Sequence, residues 1–232
     1  MVTSRVTWRP SYRLIAARLP RLDIFETIAD PADLPAVLEL EALTNPRLSP
    51  TIGPLQAIPV EDRIVGPGAA FVMAAFAYPT VGRFTDGRYG AYYAAGDLET
   101  AIAEVSYHRA RFAAATPTPP MDFDERVIEA EIDAELVDLR GESRESPIYD
   151  PNPEHYAHGQ ACAAEARAAA AQGIVYTSVR RAGGECVAIF VPRLVRNART
   201  TGYVGLRWDG KRITDTYRKE SLTTTYPLDD DR

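Results

Sequence analysis

The chain has 232 residues, 46% of them hydrophobic and 25% charged, with a formal net charge of −6. That length suits one large domain, and the balance excludes both a membrane-embedded chain and a disordered one. The longest apolar run, residues 69–77, is far short of a bilayer crossing, and an acidic surface argues against binding a phosphate backbone, so neither a membrane nor nucleic acid is an expected partner.

Taken in chain order, the first ten residues carry no apolar core of a secretion signal, which makes the cytoplasm the expected compartment. Residues 12–17 (Tyr-Arg-Leu-Ile-Ala-Ala) read as a strand from which Arg13 projects. Pro20 and then Asp23 to Glu26 lead into Asp30-Pro31, which predicts an N-cap with proline at the first helical position and a helix to about Leu43, stopped by Asn45-Pro46. Residues 48–68, rich in Pro and Gly, suggest an ordered connector. The run 69–78 is apolar throughout, and periodicity alone does not separate a strand from a buried helix there.

Residues 82–87 (Gly-Arg-Phe-Thr-Asp-Gly) form a predicted turn, and 89–95 a predicted strand. Asp97 caps a helix from Leu98, in which Leu98, Ala101, Ile102 and Val105 make one apolar stripe. Glu104 lies on the flank of that stripe, one turn from Thr100 and from His108; His108, four residues after Glu104, could tune its pKa or cap the helix C-terminus, and the second reading is preferred. Strands are expected at 127–132 and 136–139, followed by a polar loop at 141–154. An alanine-rich helix at 155–172 ends on Gly173 as its C-cap. Residues 174–178 and 186–190 read as strands around a Gly183-Gly184 turn, residues from about Asn197 as a hairpin or extension, and 228–232 as frayed. Trp208 and Tyr217 fit either an interface or packing on the domain. Helices interleaved with strands predict an α+β (mixed α/β) single domain.

No Walker loop, Rossmann glycine pattern, Gly-x-Ser-x-Gly elbow or zinc-protease motif occurs. Cys162 and Cys186 form no Cys-x-x-Cys pair, and His108, His155 and His158 show no zinc spacing, so neither a disulfide framework nor a metal is expected. What stands out is a scattered set beside strand ends and helix starts: Arg13, Arg83, Tyr93, Glu104 and Ser178. Each has an ordinary explanation on its own. Arg13 could pair with a neighbouring aspartate, Arg83 with Asp86 in its turn, and Glu104 could be a solvated carboxylate.

Their order resembles that of the RES domain, the toxin half of many bacterial toxin–antitoxin pairs. Tyr12 to Ile15 is similar to its first arginine motif and Gly82 to Gly87 to its second. Tyr92 to Glu104 matches a tyrosine followed eleven residues later by glutamate, and Gly173 to Ser178 resembles the serine-bearing strand. The triplet Arg83-Phe84-Thr85 stands where Arg-Trp-Asn is common in the family. The resemblance implies a fold similar to ADP-ribosyltransferases over residues 8–195, with an insertion at about 20–68 and an extension at 196–232. It also implies NAD as a consumed substrate.

On that reading Arg13 and Arg83 bind the pyrophosphate through planar guanidinium forks. Glu104 stabilises an oxocarbenium-like state as the nicotinamide–ribose bond breaks. Tyr93, placed with these three as catalytic, and Phe84 offer flat faces to the base. Ser178 hydrogen-bonds the carboxamide or a ribose hydroxyl, with Tyr156 and Gln160 as further pocket residues. The acceptor is phosphate or water; transfer of ADP-ribose to a protein, or a non-catalytic partner-binding module, are the alternatives. The implied partner is a cognate antitoxin carrying a helix-turn-helix DNA-binding domain, with a homodimer left open.

Overall fold

The polypeptide folds around one long antiparallel ladder made by segments far apart in sequence. In the computed structural model, which describes residues 1–18, 24–28, 30–44 and 49–220, strand β1 spans Thr3–Ala16 and β5 spans Met121–Asp138. They pair from Thr3 opposite Val137 to Ala16 opposite Glu125, with an irregularity between Trp8 and Ser11, where Pro10 has no N–H to give to the ladder. Both strands exceed the sequence expectation. The two strands expected at 127–132 and 136–139 are one, because Asp133 and Glu135 on the outward face of β5 break the apolar run without breaking the ladder.

Strands β2 (Val81–Gly82) and β3 (Thr85–Asp86) form a separate ribbon, and β4 (Tyr92–Ala95), β6 (Gly173–Thr177), β7 (Glu185–Ile189), β8 (Val195–Trp208) and β9 (Ile213–Lys219) complete the strands. Among the described residues the main sheet runs β1-β4-β7-β6-β5-β8-β9, and β1 also pairs with β5, so its first five members close into a ring. Only the β5–β6 pairing is parallel. The fold is therefore α+β on a mixed sheet, as the alternation of elements predicts. The expected C-terminal hairpin is β8–β9, added to the outer edge of β5. Trp208 is buried there and donates to Thr118 O at 3.1 Å, so it serves packing, while Tyr217 donates from the surface to Asp122 Oδ2 at 2.5 Å.

Alternation along β5 divides the interior. Ile128, Ala130, Ile132, Ala134 and Leu136 enter one apolar cluster, whereas Val127 and Val137 enter the other. Helix α5 (Leu98–Ala115) lays Leu98, Ala101, Ile102 and Val105 on the second cluster, as the stripe predicts. Helix α4 (Ala69–Ala77) covers the first with Phe71, Val72 and Phe76. Its other side meets α1 (Ile24–Thr27), α2 (Leu34–Thr44) and α3 (Ser49–Gln56) through Ala69, Ala70, Met73 and Ala77. A helix covered on both sides is apolar all round, which is why its sequence does not distinguish it from a buried strand.

Several expected boundaries are corrected. Helix α2 begins at Leu34, not Pro31, because Asp30 instead closes a turn, accepting from Ala32 N and Asp33 N. Its expected stop at Asn45-Pro46, the lead-in at Pro20 and Asp23, and the terminus 228–232 lie outside the described residues. The connector 48–68 contains α3 and a 3-10 turn at Val60–Asp62. Helix α6 covers Ala157–Ala168. It ends with Ala170 at φ 57° and Ala171 N donating to Ala166 O. Gly173 is not the cap. It opens β6, where a Cβ would lie 2.4 Å from Ala188 O, so close strand approach is what requires glycine. Among the described residues no helix is long and apolar enough to cross a membrane.

Asp97 is the N-cap of α5 as expected, accepting from Thr100 N at 2.8 Å and Thr100 Oγ1 at 2.7 Å. Replacing it by alanine orphans the first turn, and Asp97→Ala is expected to lower stability by about 1 kcal/mol. Urea unfolding would register this as a lower midpoint with an unchanged slope.

Candidate functional site

Where β1 and β4 meet the first turns of α5, small side chains leave a hollow. Ala94, Ala95 and Ala101 are among the residues that line it, and its volume of about 330 Å3 falls in the range that holds a small ligand. Arg13 enters from β1, Arg83 from the β2–β3 ribbon, Tyr93 from β4, Glu104 from α5 and Tyr156 from the start of α6; all five line it. The cluster joins residues from Arg13 to Tyr156, brought together by the closed sheet and the helices packed on it.

Arg13 is held by Nη1 donating to Tyr93 O at 2.9 Å and lies over the Tyr92 ring at 4.9 Å. Its Nε is buried with no partner. Burial pushes its pKa down, offset by Tyr92 and Tyr93, although a guanidinium remains charged throughout the usable pH range. Arg83 is almost wholly buried, donates Nη1 to Ile148 O and stacks over the Tyr156 ring at 4.5 Å. Among the described residues neither guanidinium has a carboxylate partner, and Asp86, the expected local partner of Arg83, pairs with Arg88 instead. Two guanidiniums face one hollow in a chain of net charge −6, an arrangement able to attract an anion, since such attraction is strengthened away from bulk water.

Glu104 supplies the opposite charge. Ser178 Oγ donates to its Oε1 at 2.6 Å, while Oε2 has no hydrogen-bond partner among the described residues. Ser178 is fully buried and lies just after β6; its hydroxyl also accepts from Arg180 N and Arg181 N, each at 3.1 Å. It does not line the hollow, and its contact is with the carboxylate.

Tyr93 is similarly committed. Its hydroxyl accepts from Phe84 N at 3.0 Å and sits 3.3 Å from Thr85 Oγ1, whose own proton goes to Thr80 O. The phenol therefore ties β4 to the Arg83 ribbon, and burial pushes its pKa to about 12, with the Thr85 and Phe84 hydrogen bonds opposing. Phe84 is wholly buried, its ring edge-on to Tyr176 at 4.8 Å, so it is the Phe84 amide and not the ring face that serves the site. Gln160 reaches the ribbon's backbone and not the hollow.

The walls also contain Tyr12, Tyr176 and Cys186, which sequence reasoning did not place in the site, and His108, for which it preferred a capping role. His108 does not cap a helix terminus, because α5 continues to Ala115; it lines the hollow one turn beyond Glu104. Its pKa is pushed down to about 4 by burial and then by Arg180, Arg111, Arg83 and Arg109. More than a third of the residue meets solvent, and the surrounding arginines disfavour its protonated form. The four-residue spacing from Glu104 is what carries the reading of His108 as a neighbour of that carboxylate, and the position of Tyr176 two residues before Ser178 was a usable signal for that tyrosine.

The arrangement can bind a doubly anionic ligand on Arg13 and Arg83, stack a flat ring on tyrosine, and place one carboxylate oxygen against a centre that becomes cationic. The sequence model of the RES domain matches residues 61–209. The uncharacterized protein y4oC of Sinorhizobium fredii is 27% identical over 209 residues, covering 89% of this chain and 86% of that protein. A chain of the M. tuberculosis MbcT–MbcA toxin–antitoxin complex superposes with a TM-score of 0.45 at 14% identity, covering 88% of this chain and 86% of its own length.

Proposed function

The chain belongs to the RES domain family, and on that premise we propose that it consumes NAD by breaking the nicotinamide–ribose bond, as the toxin of a toxin–antitoxin pair. The observation that carries the reading is the meeting in one hollow of Arg13 and Arg83, two guanidiniums with no carboxylate partner among the described residues, with the Glu104 carboxylate, whose Oε1 accepts from Ser178.

The chemistry asks little else of the protein. Nicotinamide in NAD is a cationic leaving group: when the C1–N bond of the ribose breaks, its electron pair goes to the ring nitrogen and nicotinamide departs neutral. The ribose is left with oxocarbenium character, which the Glu104 carboxylate stabilises through Oε2. An oxygen of phosphate or water then bonds to C1, and with water the released proton passes to Glu104 or solvent. Arg13 and Arg83 hold the pyrophosphate, and the walls of Tyr12, Tyr93 and Tyr176 exclude water and flank the base. Ser178 acts on the carboxylate and not on the substrate. The partner in this reading is a cognate antitoxin, with a helix-turn-helix domain of its own.

Incubating the purified protein with NAD, with and without phosphate, and separating the products tests this. Nicotinamide is expected in both, accompanied by ADP-ribose phosphorylated at C1 when phosphate is present and by free ADP-ribose when it is not. Nicotinamide no greater than a Glu104→Gln preparation releases would overturn the reading. Label moving from NAD onto a protein of a lysate would instead identify a protein acceptor.

A further inference from the structure

The ribbon that carries Arg83 is too short to hold a guanidinium still, since β2 and β3 pair over two residues each, and a hairpin of that size has no stability of its own. Its position is imposed from outside, largely by one face of α6. Gln160 Nε2 donates to Gly82 O at 3.1 Å and to Thr85 O at 3.2 Å, straddling Arg83. Both hydrogens of that amide are thereby used. One residue earlier, a Cβ on Gly159 would lie 2.4 Å from Arg83 O and 3.2 Å from Arg83 Cγ, so the helix touches the backbone that bears the cation. Tyr156, three and four residues before these two, lies under the guanidinium.

We infer that Gly159 and Gln160 are positioning residues for Arg83: α6 is a clamp that fixes the angle of the Arg83 fork toward the ligand's anion. Gly159 sets how near the ribbon lies, and Gln160 prevents it from sliding or opening between Gly82 and Thr85. Neither residue touches the hollow, so their effect on ligand passes through Arg83. The inference rests on the NAD reading of the site, and its test therefore includes an arm that needs no NAD.

Gln160→Met keeps the length of the side chain and deletes both donors. Hydrogen exchange of the backbone amides over residues 80–86 is expected to quicken in this variant, with exchange in β5 unchanged. KM for NAD is expected to rise about tenfold, with kcat changing far less, whereas a merely destabilised protein would lose active fraction at constant KM. Combined with Arg83→Lys, Gln160→Met should add little further loss, because both act on one interaction. Gly159→Ala should act in the same direction, and if it fails to fold the Gln160 series decides alone. Unchanged exchange over 80–86, an unchanged KM, or independent losses in the double variant would overturn the clamp. Should the wild-type protein leave NAD untouched, the exchange arm still decides the clamp, so the two failures are told apart.

Discussion

Glu104→Gln is expected to lower nicotinamide release by about a hundredfold to a thousandfold, the range for removing one preorganised electrostatic group from a transition state. The substitution isolates charge from geometry. Glutamine has the same length, and its carbonyl oxygen can still accept from Ser178 Oγ, which donates to Oε1 at 2.6 Å in the wild type. The surrounding turn keeps its hydrogen bonds from Arg180 N and Arg181 N to the same serine. What disappears is the negative charge opposite the ribose carbon as it becomes cationic. Because that charge matters chiefly in the transition state, NAD affinity should change little while kcat falls. Single-turnover release of nicotinamide, measured beside calorimetric binding, separates the two. A variant with wild-type turnover would remove Glu104 from the chemistry.

Arg83→Lys is expected to weaken NAD binding by about tenfold to a hundredfold, or about 1.4–2.8 kcal/mol. The guanidinium performs three tasks at once: one nitrogen donates to Ile148 O, the plane stacks on Tyr156, and the remaining edge faces the hollow. An ammonium is a point donor and cannot combine a planar stack with a two-pronged contact. Lysine retains the charge, so the loss measured by calorimetry is that of the fork and not of electrostatics at large. Unchanged affinity would take Arg83 out of the binding site.

The parts of this architecture that sequence reading reached are those governed by local rules. Asp97 followed by an apolar stripe specifies α5, and that helix carries Glu104 to the hollow. The Gly82–Gly87 pattern specifies the tight ribbon of Arg83. Where local rules are silent or point two ways, tertiary structure decided. The all-apolar run at Ala69–Ala77 has no polar face to report its period, and Gly173 was available both as a helix cap and as a strand residue needing close approach. Helix α3 forms despite Gly53 and Pro54, which sequence alone reads as connector.

In the site, the residue types were legible but not their atoms. Phe84 was read for its ring, yet its amide is what the site uses. Ser178 and Tyr93 were read as ligand contacts, yet their hydroxyls are engaged with Glu104 and the Arg83 ribbon respectively. No one-dimensional pattern tells which end of a side chain meets solvent, because that depends on elements brought in from elsewhere in the chain.

The closed ring of strands also has a consequence for how the protein comes into being. Strand β1 is finished at Ala16, but the members that complete the ring with it end only at Ile189. At a ribosomal pace of roughly 5–20 residues per second, the interval is on the order of ten to thirty seconds. Throughout that time the nascent chain holds Arg13 without the complete ring, and a product terminated between Glu104 and β7 carries all three charged groups without the closed sheet around them. The hollow is therefore assembled late in translation and all at once, when the last strand of the ring pairs.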